Sequence, residues 1–277
     1  MSRNYLPGTQ IEVINRIERG KVRHALFDFD GTISLLREGW QRIMAPVCVE
    51  MICGGIAPTP EIEREVHEMI EETTGIQTIL QMERLVEMVR AHGLVPAEEV
   101  KDAQGYKQVY IDRLMVPVRE RIAKLESGEL TQRDVTVRGA LDFVHLLHGR
   151  GIHLYVFSGT DRADVVNECT KVGAAPWFEE IWGALGSFED YSKEKVIQDM
   201  VAQHGLSGPE VLAVGDGPVE LRNVKAVGGI AVGVASDEVR GEGWNEEKRE
   251  RLIRAGADIM VPDFGDAPAL ADYLLGG

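Results

Sequence analysis

No run of about eighteen apolar residues occurs in this sequence, so a membrane-spanning helix is not expected. No apolar signal-peptide core follows Met1-Ser2-Arg3-Asn4-Tyr5, and a cytoplasmic protein is the expectation. Cysteine is scarce and odd in number: Cys48, Cys53 and Cys169 sit in apolar surroundings, which excludes a disulfide framework and suits buried thiols in a reducing compartment. With no His at ligand spacing from them, a zinc site is not expected either. Basic residues are in short supply, 30 against 45 acidic, for a net charge of -15. That balance argues against nucleic acid or an anionic membrane as partner. Small anionic substrates stay compatible with it, because they need only local positive charge from a metal, a lysine or a helix N-terminus. There is no internal repeat and no low-complexity segment.

What is present is an ordinary globular composition, 44% hydrophobic and 27% charged over 277 residues, long enough for one large domain and a smaller one. The most informative stretch is Phe27-Asp28-Phe29-Asp30-Gly31-Thr32. The apolar run His24 to Phe27 reads as a buried strand, and Gly31-Thr32 turns the chain directly after it. Two carboxylates therefore close a strand. Acids in that position cap and turn well, but two of them on an apolar strand are costly unless a cation compensates them. The carboxyl edge of an open α/β sheet is also where ligands bind.

Further strands with the same kind of ending follow. Ile152 to Phe157 leads into Ser158-Gly159-Thr160-Asp161, a hydroxyl and free N–H groups ahead of a helix, which together make an anion site. Val211 to Val214 leads into Gly215-Asp216-Gly217-Pro218-Val219-Glu220, with two acids one helical turn apart. The remaining α/β units are a helix at 138–149, a helix to Val172, a short strand from Ile181 to Leu185, a helix from Ser192 to His204, strands at 229–234 and 257–261, and a terminal helix. Thr9 to Arg19 reads as a short amphipathic helix. Strands alternating with helices imply a parallel, doubly wound, Rossmann-like sheet. Between Leu35 and Val135 only helical periodicity remains, broken at Gly54-Gly55, Pro58, Pro60, Gly75, Gly93 and Pro96, as in an inserted subdomain of four or five helices. The expected division is a core of residues 1–34 and 136–277 with a helical insertion at 35–135.

Asp28-Phe29-Asp30-Gly31-Thr32 resembles the first motif of the haloacid dehalogenase superfamily, whose members are mostly aspartate-nucleophile phosphatases. Ser158 resembles its second motif, Ser192-Lys193-Glu194-Lys195 its third, and Gly215-Asp216-x-x-x-Glu220 its fourth. The helical insertion resembles the cap of the branch that holds phosphoglycolate phosphatases and β-phosphoglucomutases. The resemblance implies a Mg²⁺-dependent phosphatase acting on a small phosphorylated metabolite. Asp28 is the implied nucleophile and Asp30 the acid/base. Ser158, Gly159 and a lysine bind phosphate, the lysine being Lys193 at the first helical turn or Lys195, which reads better as solvated. Asp28, Asp30, Asp216 and Glu220 form the implied metal set, with Glu220 acting directly or through water. Arg37, Trp40, Thr74 and Gln77 are candidates for reading the leaving group. Two alternatives stay open: a sugar phosphomutase with the same motifs, and a phospho-acceptor signalling module, which needs no cap. His145 and His148 near a helix end, Glu246 to Arg251 with its alternating signs, and Gly228, Gly229 and Gly233 carry no chemistry on this reading; the charge run is a solvated helix face.

Overall fold

The computed structural model describes residues 3–184 and 192–277. It divides into two compact units, one formed by 1–38 and 121–277 and the other by 39–120.

The first unit is built on a sheet in which seven strands are described: β1 (Glu12–Val13), β2 (His24–Phe27), β3 (His153–Asp161), β4 (Glu180–Ala184), β5 (Val211–Gly215), β6 (Ile230–Val234) and β7 (Ile259–Val261). Their order is β1-β7-β6-β5-β2-β3-β4, parallel throughout except β1, which runs antiparallel to β7. Central β2 is buried along its whole length and side chains alternate between its faces. Ala25 and Phe27 pack with Phe143, Phe264 and Leu274 of one apolar cluster. Leu26 packs with Ile197, Met200 and Leu221 of another. Helices α5 (Ala140–Gly149), α6 (Arg162–Lys171) and α10 (Ala267–Leu275) supply the first cluster; α7 (Lys193–His204), α8 (Pro218–Ala226) and α9 (Glu246–Arg254) supply the second. A sheet apolar on both faces and covered on both is the doubly wound arrangement.

The second unit contains α1 (Trp40–Cys53), α2 (Pro60–Glu72), α3 (Thr78–His92) and the greater part of α4 (Ala103–Ser127). Its breaks fall at the expected punctuation: Gly54 and Gly93 take left-handed C-cap conformations, and Pro60 opens α2 behind the Thr59 cap. Residues 35–38 and 121–135 group with the α/β unit, where the Arg121 guanidinium donates to the carbonyls of Leu36 and Glu38.

Two expectations change. Thr9 to Arg19 is no helix: Glu12 and Val13 pair with Met260 and Ile259 instead, because the open edge of β7 offers backbone partners that a short helix cannot match. The strand expected to end at Phe157 runs to Asp161 through an irregularity in its pairing with β4. Leu185, the expected end of β4, lies outside the described residues.

Candidate active site

Register brings the site together. Phe27 lies beside Val156 and Val214, so Asp28, Ser158 and Asp216, each just beyond those partners, emerge at one edge of the sheet. After Asp28 the chain winds tightly: the Phe29 carbonyl accepts from the N–H groups of both Ile33 and Ser34 at 2.9 Å. Gly31 sits at φ 73°, and a Cβ there would come within 2.3 Å of an Asp216 carboxylate oxygen. Only glycine lets this turn lie against that acid.

Lys193, the first residue of α7, reaches into the cluster. Its Nζ is 3.0 Å from Asp28 Oδ1 and 3.2 Å from Glu220 Oε2, and 5.1 Å from the centre of the Phe157 ring. It is 5% exposed, whereas Lys195 is exposed. Glu220 commits its other oxygen to the Gly217 N–H at 2.7 Å, closing the N-terminus of α8, and so acts as the acid that fixes Lys193. Asp30 is held differently. Thr160 Oγ1 donates to its Oδ2 at 2.8 Å, while its buried Oδ1 has no hydrogen-bond partner among the described residues and lies 3.9 Å from Arg37 Nε. The pairing irregularity of β3 lies between Phe157 and Asp161, the stretch that holds Ser158 and Thr160, and Ser158 Oγ accepts from the Thr160 N–H at 3.1 Å.

Burial pushes Asp28 well above the usual carboxylate range; Lys193 opposes this and the nearby Glu220 and Asp216 add to it. Burial likewise raises Asp30, against the pull of Arg37 and of the Thr160 hydroxyl. Oxygens of Asp28, Asp216 and Glu220 lie within 4.8 Å of one another. Such an all-oxygen, acid-rich set fits a hard divalent cation. Asp30 is not in this cluster; its carboxylate accepts from the Thr160 hydroxyl instead.

Arg37 is buried: its guanidinium donates to Glu168 at 2.7–3.1 Å and to Asp164 at 3.3 Å, and its Nε lies 3.9 Å from Asp30 Oδ1. Trp40 is the first residue of α1. The Thr74 hydroxyl donates to the Ile70 carbonyl at 2.8 Å, and Gln77 is buried at the N-cap of α3. Gly159 lies within β3 between Ser158 and Thr160.

Sequence reasoning missed Thr160 as the donor to Asp30, Glu168 as the partner of Arg37, and the pair Lys248 and Glu238. Lys248 belongs to the charge run read as solvated, yet it is 7% exposed; its Nζ lies 2.9 Å from Asp216 Oδ2 and 2.6 Å from Glu238 Oε1. Burial alone would lower its pKa, but Asp216 and Glu238 overcome that and hold it above the ordinary lysine value. No feature of Glu246 to Arg251 sets this one lysine apart from its neighbours. Glu238 also lines a cavity of about 1000 Å³ in the α/β unit, beside Arg121, Arg138 and Arg240.

A parallel sheet with acids, a lysine and a hydroxyl converging at its carboxyl edge defines an α/β enzyme with a carboxylate-centred site. The model of the haloacid dehalogenase-like hydrolases matches residues 22–228, and the chain belongs to that family. It is therefore a hydrolase. No curated protein matches its sequence. Solved structures share the fold at low identity. A predicted phosphoglycolate phosphatase from Haemophilus somnus is 16% identical, with TM-score 0.61, covering 90% of this chain and 98% of that one. A β-phosphoglucomutase from Clostridium difficile is 14% identical, with TM-score 0.59 and coverage of 88% and 92%. A haloacid dehalogenase-like protein from Agrobacterium tumefaciens is 20% identical, with TM-score 0.55 and coverage of 90% and 97%.

Proposed function

We propose that this hydrolase is a Mg²⁺-dependent phosphatase that removes the phosphoryl group of a small phosphorylated metabolite by way of an aspartyl-phosphate on Asp28. The observation that carries the reading is the unlike treatment of two adjacent carboxylates. Asp28 is paired with the Lys193 ammonium at 3.0 Å, whereas Asp30 accepts from the Thr160 hydroxyl and keeps a buried oxygen with no hydrogen-bond partner among the described residues. The Asp28 carboxylate attacks phosphorus while Asp30 gives its proton to the departing oxygen. Asp30 then takes a proton from the water that opens the aspartyl-phosphate, which restores both acids. Lys193, the Ser158 hydroxyl and the Gly159 N–H hold the phosphoryl oxygens, since this chemistry depends on positioning and charge neutralisation. Asp28 and Asp216 would hold Mg²⁺, which would neutralise charge on the transferring group.

Asp28→Asn tests the reading. An amide is close in shape but is no nucleophile, so hydrolysis of an aryl phosphate in Mg²⁺ should drop by about 10³-fold or more with the melting curve retained. Retention of more than a few per cent of activity in a freshly purified sample would exclude Asp28 as nucleophile. Running a sugar phosphate in parallel, and assaying free phosphate against isomerised sugar, separates hydrolysis from phosphoryl shift to a second hydroxyl.

A further inference from the structure

Lys248 is the one lysine of α9 turned inward, although the helix that carries it is otherwise rich in solvated charge. Asn245 caps α9 and accepts from the Lys248 N–H at 3.0 Å, which sets Lys248 at the first turn. Its ammonium then meets two carboxylates, Asp216 at the end of β5 and Glu238 in the loop after β6. Asp216 is held by Lys248 on Oδ2, while its Oδ1 accepts from the Thr32 hydroxyl at 3.5 Å. Glu238 is close too: a Cβ on Gly31 would lie 3.2 Å from its Oε1 and 2.3 Å from Asp216 Oδ2. Three side chains from three elements thus crowd the turn beneath the site, and only one of them is positive.

An ion pair this buried is a weak source of stability, because two charges leave water to form it. Its geometry has a more specific consequence. A carboxylate with one oxygen fixed by an ammonium can offer a metal only the other, and a second carboxylate tied to the same ammonium is kept from joining. We propose that Lys248 is a positioning residue, a resident cation that presents Asp216 to the metal through a single oxygen and holds Glu238 outside the metal's reach. Glu238 in turn keeps Lys248 from moving into the metal site. The inference rests on the reading of Asp28 and Asp216 as metal ligands and adds to it the device that sets how tightly, and through which atoms, the cation is held.

Mn²⁺ binding to substrate-free enzyme, followed by electron paramagnetic resonance, tests this apart from turnover. In Lys248→Met the positive charge is gone and both carboxylates are released to the metal. Mn²⁺ should bind about tenfold more tightly or better, by removal of a like charge. The same variant should turn over an aryl phosphate in Mg²⁺ about tenfold more slowly or worse, as for loss of a residue that orients a ligand. Tighter metal with slower turnover is a combination that a merely structural lysine would not produce. The charge-balanced pair Lys248→Met with Glu238→Gln covers the case in which the single variant fails to fold. Its Mn²⁺ affinity should return to about the wild-type value while kcat stays about tenfold low, because Asp216 has lost its anchor. Wild-type Mn²⁺ affinity in a folded Lys248→Met, or wild-type kcat in the double variant, overturns the inference alone. A wild-type protein that binds no Mn²⁺ overturns the metal reading and this inference with it.

Discussion

Asp28 and Asp30 are the same residue type, two positions apart, and the protein makes them different through their neighbours. Asp28 receives a full charge at 3.0 Å from Lys193, which favours its ionised form against the burial that raises it. Asp30 receives a hydroxyl from Thr160 and lies 3.9 Å from a guanidinium that Glu168 and Asp164 already share. Thr160 follows as a control on the Asp30 proton. Its hydrogen bond favours the carboxylate, opposing the burial that raises Asp30. Thr160→Val removes the bond and lets the Asp30 pKa climb further. Because the protonated acid is needed when the leaving group departs, the descending limb of the kcat profile should move to higher pH. A shift of up to about one unit is expected, equivalent to about 1.4 kcal/mol of hydrogen bonding. An alkyl phosphate is the substrate to use, since its poor leaving group makes the proton matter. An unmoved limb would show that Thr160 does not govern it.

At the scale of elements, the site is a set of strand ends and helix starts, and each is only as firm as its cap. Ser192 Oγ accepts from the Lys195 N–H at 3.1 Å and so closes the first turn of α7, the turn that carries Lys193. Ser192→Ala should lower stability by about 1 kcal/mol, read as a lower urea midpoint at unchanged slope. Turnover should fall by more than the small unfolded fraction explains, because the loosened turn no longer places the ammonium. Unaltered kcat beside a lowered midpoint would separate the cap from the chemistry. These element ends were also what the sequence made legible. Parallel strands buried on both faces appear as unbroken apolar runs, so the acids and hydroxyls that end β2, β3 and β5 stand out against them. The start of the helix favoured Lys193 over Lys195, and Lys193 is the buried one of the two. Lys248 could not be found that way, since which face of α9 turns inward is decided by Asp216 and Glu238, more than thirty residues and ten residues upstream. The extension of β3 to Asp161 and the pairing of Glu12 with Met260 were hidden for a similar reason: both depend on what a neighbouring strand edge offers.

Across the whole sheet, acids and a lysine crowd the carboxyl edge while histidines gather at the amino edge. His24, the first residue of β2, stacks on His153 and meets His204 at a tilt, each at a ring separation of 4.7 Å, and Tyr155 Oη lies 3.3 Å from its Nδ1. Burial, with His153 and His204 as further positive charges in prospect, lowers His24 from the ordinary 6.5 to about 4, while Glu179 and Glu210 pull the other way. The two ends therefore respond to acid in opposite senses. Asp28, Asp30 and Glu238 have raised values, so the folded state takes up their protons more readily than the unfolded chain and gains from mild acidification. His24 is protonated more readily when unfolded. Its contribution is complete above about pH 6.5 and is lost as pH falls toward its folded value of about 4. Replacing it with an aromatic ring that cannot titrate isolates this effect from the carboxylates. In His24→Phe the melting temperature should fall by less than in wild type between about pH 7 and about pH 5, so the two curves converge on acidification. Parallel curves over that interval would mean that the stacked histidines carry no acid sensitivity and that His24 is protonated as easily folded as unfolded.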